Sequence, residues 1–146
     1  DTMQTNNKVK LIPAKEGTAY IFIKKDDKIV ASVPVTVVAA RKVVTMTADK
    51  TAVTVSKSAN ANQETITLAT KDQYGNDFAF TANDGSIEVT CEGAPDGVDK
   101  ANVTVPGYAS KNGNKVKYTV TGSNYVKGTY TFKFTFNLFY GKTVNE

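Results

Sequence analysis

The sequence predicts an all-β protein built from β-sandwich units in tandem, the first of them partial. Three observations carry that reading. Apolar and polar residues alternate with period two through most of the chain, and turn-forming residues recur every ~8–12 positions. Thr and Val are the commonest residue types, and their branched side chains suit a pleated, half-buried surface better than a helix. A hydrophobic fraction of 40% is enough to build a core.

Taken in order, Val9 and Leu11 predict a first short strand, and Gly17 to Lys24 a second, with Ala19, Ile21 and Ile23 on one face. The run Lys24-Lys25-Asp26-Asp27-Lys28 turns the chain into a long strand from Ile29 to Ala39. Pro34 lies within it and has no N–H to donate, which places that strand at a sheet edge or at a bulge. The alternation restarts with Val44 and Met46 facing inward, then Val53 and Val55. Ser56 to Gln63 is polar and reads as a loop. Ile66 and Leu68 follow, then the turn Lys71-Asp72-Gln73-Tyr74-Gly75-Asn76-Asp77, then Phe78 and Phe80. Asn83-Asp84-Gly85 turns into a strand from Ile87 to Cys91. Gly93 to Lys100 is irregular, with room for a helical turn near Pro95–Lys100 or Tyr108–Ser110. Val103 and Val105 mark a strand that Pro106-Gly107 ends. Ser110 to Asn114 is a turn, and Val116, Tyr118 and Val120 share a face. The strongest strand is Gly128 to Asn137, where Tyr130, Phe132, Phe134 and Phe136 form one apolar stripe. Burying a Phe is worth roughly 1.5–3 kcal/mol, so this stripe is the expected spine of its unit.

Composition excludes several classes of function. The net charge is +4, yet the basic residues are scattered lysines and a single arginine, Arg41. Nucleic-acid binders cluster their charge and use arginine for bidentate contacts, so no nucleic-acid partner is expected. No apolar run approaches the ~20 residues of a membrane-spanning helix, so membrane insertion is not expected. The chain opens abruptly at Asp1-Thr2-Met3, as an excerpt from a longer protein would. Cys91, the one cysteine, follows Ile87 and Val89 at period two, which reads as a small core residue without a disulfide or thiolate role. There is no His, no nucleophile elbow and no phosphate loop, so no enzyme is expected.

Two segments repeat. Gly17-Thr18-Ala19-Tyr20-Ile21-Phe22-Ile23 and Gly128-Thr129-Tyr130-Thr131-Phe132-Lys133-Phe134 share a Gly-Thr start and the same inward positions, 111 residues apart. That period suits tandem Ig-like β-sandwich domains. Residues 1–41 then form the C-terminal strands of a truncated domain, and residues 42–146 form a second domain lacking its last strand. A two- or three-stranded remnant is marginal alone in water, so its apolar face calls for a cover.

The stretches Gly17-Thr18-Ala19-Tyr20-Ile21-Phe22-Ile23 and Val33-Pro34-Val35-Thr36-Val37-Val38-Ala39-Ala40 resemble the closing strands of bacterial Ig-like domains. Asp72-Gln73-Tyr74-Gly75-Asn76 is similar to a turn common in such repeats. With the Lys- and Thr-rich composition, the chain resembles the S-layer proteins of Gram-positive bacilli. The resemblance implies a secreted structural component of the bacterial cell wall, whose Ig-like domains self-assemble into a lattice. Its partner would be itself, with cell-wall polymer contacted only through parts outside this segment. The alternative is an Ig-like spacer or carbohydrate-binding accessory module of an extracellular enzyme or adhesin.

The same resemblance implies Ca²⁺ as a candidate ligand. Oxygen donors are offered by Asp72, Asn76 and Asp77, by Asn83 with Asp84, and by Asp96 with Asp99, although none matches an EF-hand loop and each fits an ordinary turn. Tyr74, Tyr108, Tyr125, Phe139 and Tyr140 lie near turns, where an aromatic can stack on a sugar or fill an interface. Leu138, Phe139 and Tyr140 are the candidate interface residues, because they follow the aromatic stripe at a turn.

Overall fold

The computed structural model describes residues 10–57 and 62–139. Among them are eight strands, two short 3₁₀ turns and no α-helix: β1 Gly17–Lys25, β2 Lys28–Val37, β3 Val43–Ala48, β4 Gln63–Asp72, β5 Gly85–Gly93, β6 Gly107–Asn112, β7 Lys115–Thr121 and β8 Thr131–Leu138. The all-β prediction holds. The chain divides into two compact units, residues 1–40 and 41–146.

The first unit is an antiparallel hairpin, β1–β2, in register from Gly17↔Val37 to Lys25↔Lys28 with one shift between Ile23 and Lys24. Its two-residue turn is made by Asp26 and Asp27, both at positive φ (49° and 63°). A type I′ turn requires that geometry at both central positions, and its twist matches that of the flanking strands. Pro34 stands opposite Tyr20 without breaking the register. In a two-stranded sheet each strand is an edge, so the missing N–H is tolerated there. Leu11 lies outside any strand, and Val9, the other half of the predicted first strand, falls outside the described residues.

The second unit has two sheets. One orders its strands β3-β4-β7-β6 and the other pairs β5 with β8. Counted within the unit, these are strands one, two, five and four facing strands three and six. An Ig-type sandwich has the same order, with its seventh strand beside the sixth. Alternation puts Leu68, Val116 and Tyr118 on the inner face of the first sheet and Ile87, Val89, Phe134 and Phe136 on the second. The core closes between them, with Val43 and Phe80 also buried. Edge-to-face contacts bind the layers: Tyr118–Phe134 at 5.1 Å and Phe80–Phe136 at 4.7 Å, a geometry favoured by the ring quadrupoles.

Several sequence expectations need correction. Val43, not Val44, enters the core, because a register shift between Val43 and Thr45 moves the inward phase by one residue. Val53 and Val55 lie outside the strands. Val103–Val105 is not a strand; β6 starts at Gly107, where a strand was expected to end, and runs through the supposed turn at Ser110. Its hairpin with β7 turns at Gly113 and Asn114, with positive φ at Gly113 alone (60°), as in a type II′ turn. The helical turns are 3₁₀ and sit at Lys100–Asn102 and Gly122–Asn124. Phe132, Phe134 and Phe136 are half-buried rather than fully enclosed, as is Cys91.

Candidate interaction surface

The loop between β4 and the Phe78–Phe80 segment shows what its acidic residues do. Asp72 ends β4 and its side chain is wholly buried. One carboxylate oxygen accepts from the backbone N–H of Tyr74 (3.0 Å) and of Asn76 (2.9 Å), while the other accepts from Nε of Arg41. Gly75 takes positive φ (80°), and its N–H reaches the Asp72 carbonyl at 3.1 Å. This is the Asx-type turn that Asp and Gly favour at such spacing. Arg41 also donates to the Asp77 carbonyl at 2.6 Å and lies over the Phe78 ring at 4.8 Å. Burial pushes the Asp72 carboxyl up. Arg41 and the Asn76 and Tyr74 amides outweigh that and hold it below the ordinary carboxylate value.

Three of the acidic residues put forward for Ca²⁺, Asp72, Asp84 and Asp99, accept hydrogen bonds within their own turns. Asp72 is taken up as described. Asp84 accepts from the Thr81 amide (2.7 Å) and hydroxyl (3.0 Å). Asp99 caps the first 3₁₀ turn through the Ala101 amide (3.0 Å) and binds Asn102 Nδ2. Among the described residues no group of three or more His, Cys, Asp or Glu is placed to hold a metal ion.

Of the candidate interface residues, Leu138 closes β8 opposite Gly85, and Phe139 donates its N–H to the Asp84 carbonyl at 3.2 Å. The two residues are 37% and 48% exposed. Tyr140 lies outside the described residues. The other aromatics divide. Tyr74 and Tyr108 are exposed, but Tyr125 is buried, donating its hydroxyl to the Thr104 carbonyl at 2.9 Å and packing on Tyr130 and Phe132. Burial pushes the Tyr125 and Tyr118 phenols up.

Sequence reasoning missed a groove. The second unit opens between the segment 50–57 and β8 with the residues leading into it, a space of about 1120 Å³. Val53, Val55, Ile66, Val120, Phe132 and Phe134 form its apolar walls. Consecutive residues from Tyr125 to Phe132 line it, so the main chain as well as one side-chain face borders the space. Ile66 and Val120 belong to the first sheet and Phe132 and Phe134 to β8, so residues of both layers border it. The alternation of Val53 and Val55 was the signal: an inward-facing pair that joins no ladder.

No protein-family model matches the sequence, and no curated protein matches it. Among solved structures, the chain is similar to "Crystal structure of the S-layer protein SbsC domains 4 and 5". The TM-score is 0.62 and the identity 27%, over 86% of this chain and 61% of that one. The chain therefore spans less than two thirds of that structure. The likeness supports an S-layer-like, all-β fold.

Proposed function

We propose that the chain is a structural part of a bacterial cell-surface layer, its Ig-like units setting the spacing of a self-assembled lattice. The observation that carries this is the structural likeness to two domains of an S-layer protein over most of the chain. The Ig-type strand order of residues 41–146 agrees with it. So does the resemblance of the Asp72–Asn76 turn and of the β1 and β2 stretches to bacterial Ig-like repeats. On this reading residues 1–41 are the closing strands of one domain and residues 42–146 belong to the next. The protein works outside the cell, on its wall. Its chemistry is geometric: rigid sandwiches fix distances, and exposed loops and strand ends such as Leu138 and Phe139 make contacts between neighbours.

A carbohydrate-binding accessory module is the second reading, favoured by the exposed residues Tyr74 and Tyr108 (46% and 63%). Electron microscopy of the full-length protein separates the two. Ordered sheets support the lattice. Dispersed particles that bind cell-wall polysaccharide, with binding lost in Tyr108→Ala, support the accessory module.

A further inference from the structure

We propose that Asn112 is a site of spontaneous chemical modification, its side-chain amide displaced by the backbone nitrogen of Gly113 to leave an aspartyl or isoaspartyl link in the β6–β7 turn. The proposal goes beyond the surface-layer reading and does not depend on it, since the reaction needs only water and time.

The reaction is a ring closure followed by hydrolysis. The Gly113 amide nitrogen gives its proton to solvent and attacks Cγ of Asn112, forming an N–C bond. The Cγ–Nδ2 bond breaks, and Nδ2 leaves as ammonia with a proton from water. Water then opens the cyclic imide at one of its two carbonyls. Opening on the side-chain side gives an aspartyl link. Opening on the main-chain side leaves the chain running through Cβ and Cγ, an isoaspartyl link with one more carbon in the backbone. One water is consumed and one ammonia released, with no change of oxidation state. The residue after the asparagine governs the rate, because a Cβ there crowds the attacking nitrogen and glycine has none.

Asn112-Gly113 is the only Asn-Gly pair in the sequence. Both residues are exposed, so water and base reach them. Gly113 stands at φ 60° with nothing within 4 Å of the place a Cβ would take. Among the described residues no hydrogen bond holds its N–H. The bonds that pin this turn to β4 go to Asn114 instead. Its carbonyl accepts from the Thr70 N–H (3.0 Å) and hydroxyl (3.2 Å), and its Nδ2 donates to the Thr70 carbonyl (3.1 Å). Asn112 pairs with Lys115 at the very end of the ladder, where local opening costs least. Lys115 also brings a positive charge to that end, which favours the ionised nitrogen and the carboxylate formed. Other positions are held back. Asn76, Asn83 and Asn102 precede Asp77, Asp84 and Val103, each with a Cβ. Asp84-Gly85 and Asp96-Gly97 have the glycine, but a carboxylate must be protonated before it loses water, and neutral pH keeps it charged. An isoaspartyl link would lengthen the main chain at the end of β6 while Asn114 stays fixed to Thr70. β6 is an edge strand whose one neighbour among the described strands is β7, so its ladder would loosen while β4 and β7 stay paired.

Incubation of the whole chain in neutral and in mildly alkaline buffer, followed by peptide mass mapping and isoaspartyl methyltransferase labelling, tests this. A urea-unfolded sample beside it marks the time that the open chain needs to convert. The expected result is ammonia loss at Asn112 at least about tenfold faster than at Asn76 or Asn83, which are also exposed in loops. The rate should rise with pH, because the attacking nitrogen must lose its proton. Asn112→Gln, which would have to close a larger ring, should fold as the unmodified chain does and keep its amide. Amide exchange across Tyr108–Lys111 should be faster in the aged chain than in the fresh one, and unchanged by ageing in Asn112→Gln. An intact Asn112 amide at the time the unfolded sample has converted overturns the proposal, since the turn would then protect the pair it exposes. So does conversion no faster than at Asn76 or Asn83, or a rate that does not rise with pH. Conversion without faster exchange in β6 would overturn the loosening of the edge strand.

Discussion

β1 opens on Gly17-Thr18 and the same pair, Gly128-Thr129, stands just before β8; the two strands carry the same alternation, yet their surroundings differ. In β1 the inward positions Ile21 and Ile23 are 37% and 50% exposed, and among the described residues the hairpin has no facing sheet within its unit. In β8, Phe134 meets Tyr118 at 5.1 Å and Phe136 meets Phe80 at 4.7 Å. Alternation alone therefore sets extended geometry and decides which side chains share a face. It does not decide whether that face is covered. Coverage comes from a second layer, and in the sandwich that layer is the β3-β4-β7-β6 sheet.

The widest gap between the regions should appear when one apolar side chain is removed from each. Leu68 is 2% exposed at the centre of the core. Leu68→Ala should cost about 2–5 kcal/mol through lost transfer energy and the cavity left behind. Ile23→Ala in the hairpin should move the same unfolding transition by no more than about 0.5 kcal/mol, as surface substitutions do. Urea titration followed by tyrosine fluorescence compares the two directly. A large effect of Ile23→Ala would show that the hairpin face is covered in solution and would break the contrast.

The second comparison concerns close approach within the sandwich. Gly122 sits under the segment 50–57, and a Cβ there would collide with the backbone carbonyl of Ser56. Gly122→Ala should destabilise by about 1–3 kcal/mol, as overpacking does, and should loosen residues 50–57, seen as faster amide exchange on that side of the groove. Gly17, at the start of β1, has nothing within 4 Å of the same added atom, so no steric collision arises there.

Asp72 allows a test by pH. Its folded pKa lies below the ordinary 3.8, because Arg41 and two amides favour the charged form. A depressed pKa contributes stability above the unfolded value, and that contribution is lost as pH falls through the folded value. Asp72→Asn should therefore melt lower than the unmodified chain at neutral pH, with the gap closing as the pH drops below about 4. A gap independent of pH would mean that packing, not charge, holds the turn.

Much of this architecture was legible in the residues. Period two placed β1, β2, β4, β5, β7 and β8, and Asp26-Asp27, Gly75 and Gly113 marked turns for the conformational reasons that govern such positions. What failed was phase and coverage. Val43 and Val44 are equally apolar, and only the register shift against β4 decides which enters the core. Val103 and Val105 alternate as a strand does, but the 3₁₀ turn before them and Pro106 after leave them outside the ladders. The acidic turns suggested cation ligands because sequence shows donors without their partners. The Arg41 that meets Asp72 lies thirty-one residues away. The groove was missed for a related reason: Val53 and Val55 alternate as an apolar pair, but what they face is set by topology, which no local pattern encodes.

The smallest expected effect lies in the hairpin turn. Asp26 and Asp27 both adopt left-handed backbone geometry (φ 49° and 63°), which Asp tolerates but glycine adopts without steric penalty. Asp-Gly is also a favoured pair for the type I′ turn. Asp27→Gly should relieve strain of roughly 1 kcal/mol, partly offset by the greater entropy of glycine in the unfolded chain, for a net gain of about 0.5 kcal/mol. Cross-strand amide exchange at Lys25 and Lys28, neighbours in the ladder, would register it as slower opening. In the sandwich the same gain would be lost within a cooperative unit held by its core. In a hairpin with no facing sheet among its described residues, local turn energy is a large share of what keeps the strands paired. Unchanged opening after Asp27→Gly would mean that something beyond the turn and the ladder already holds the hairpin closed.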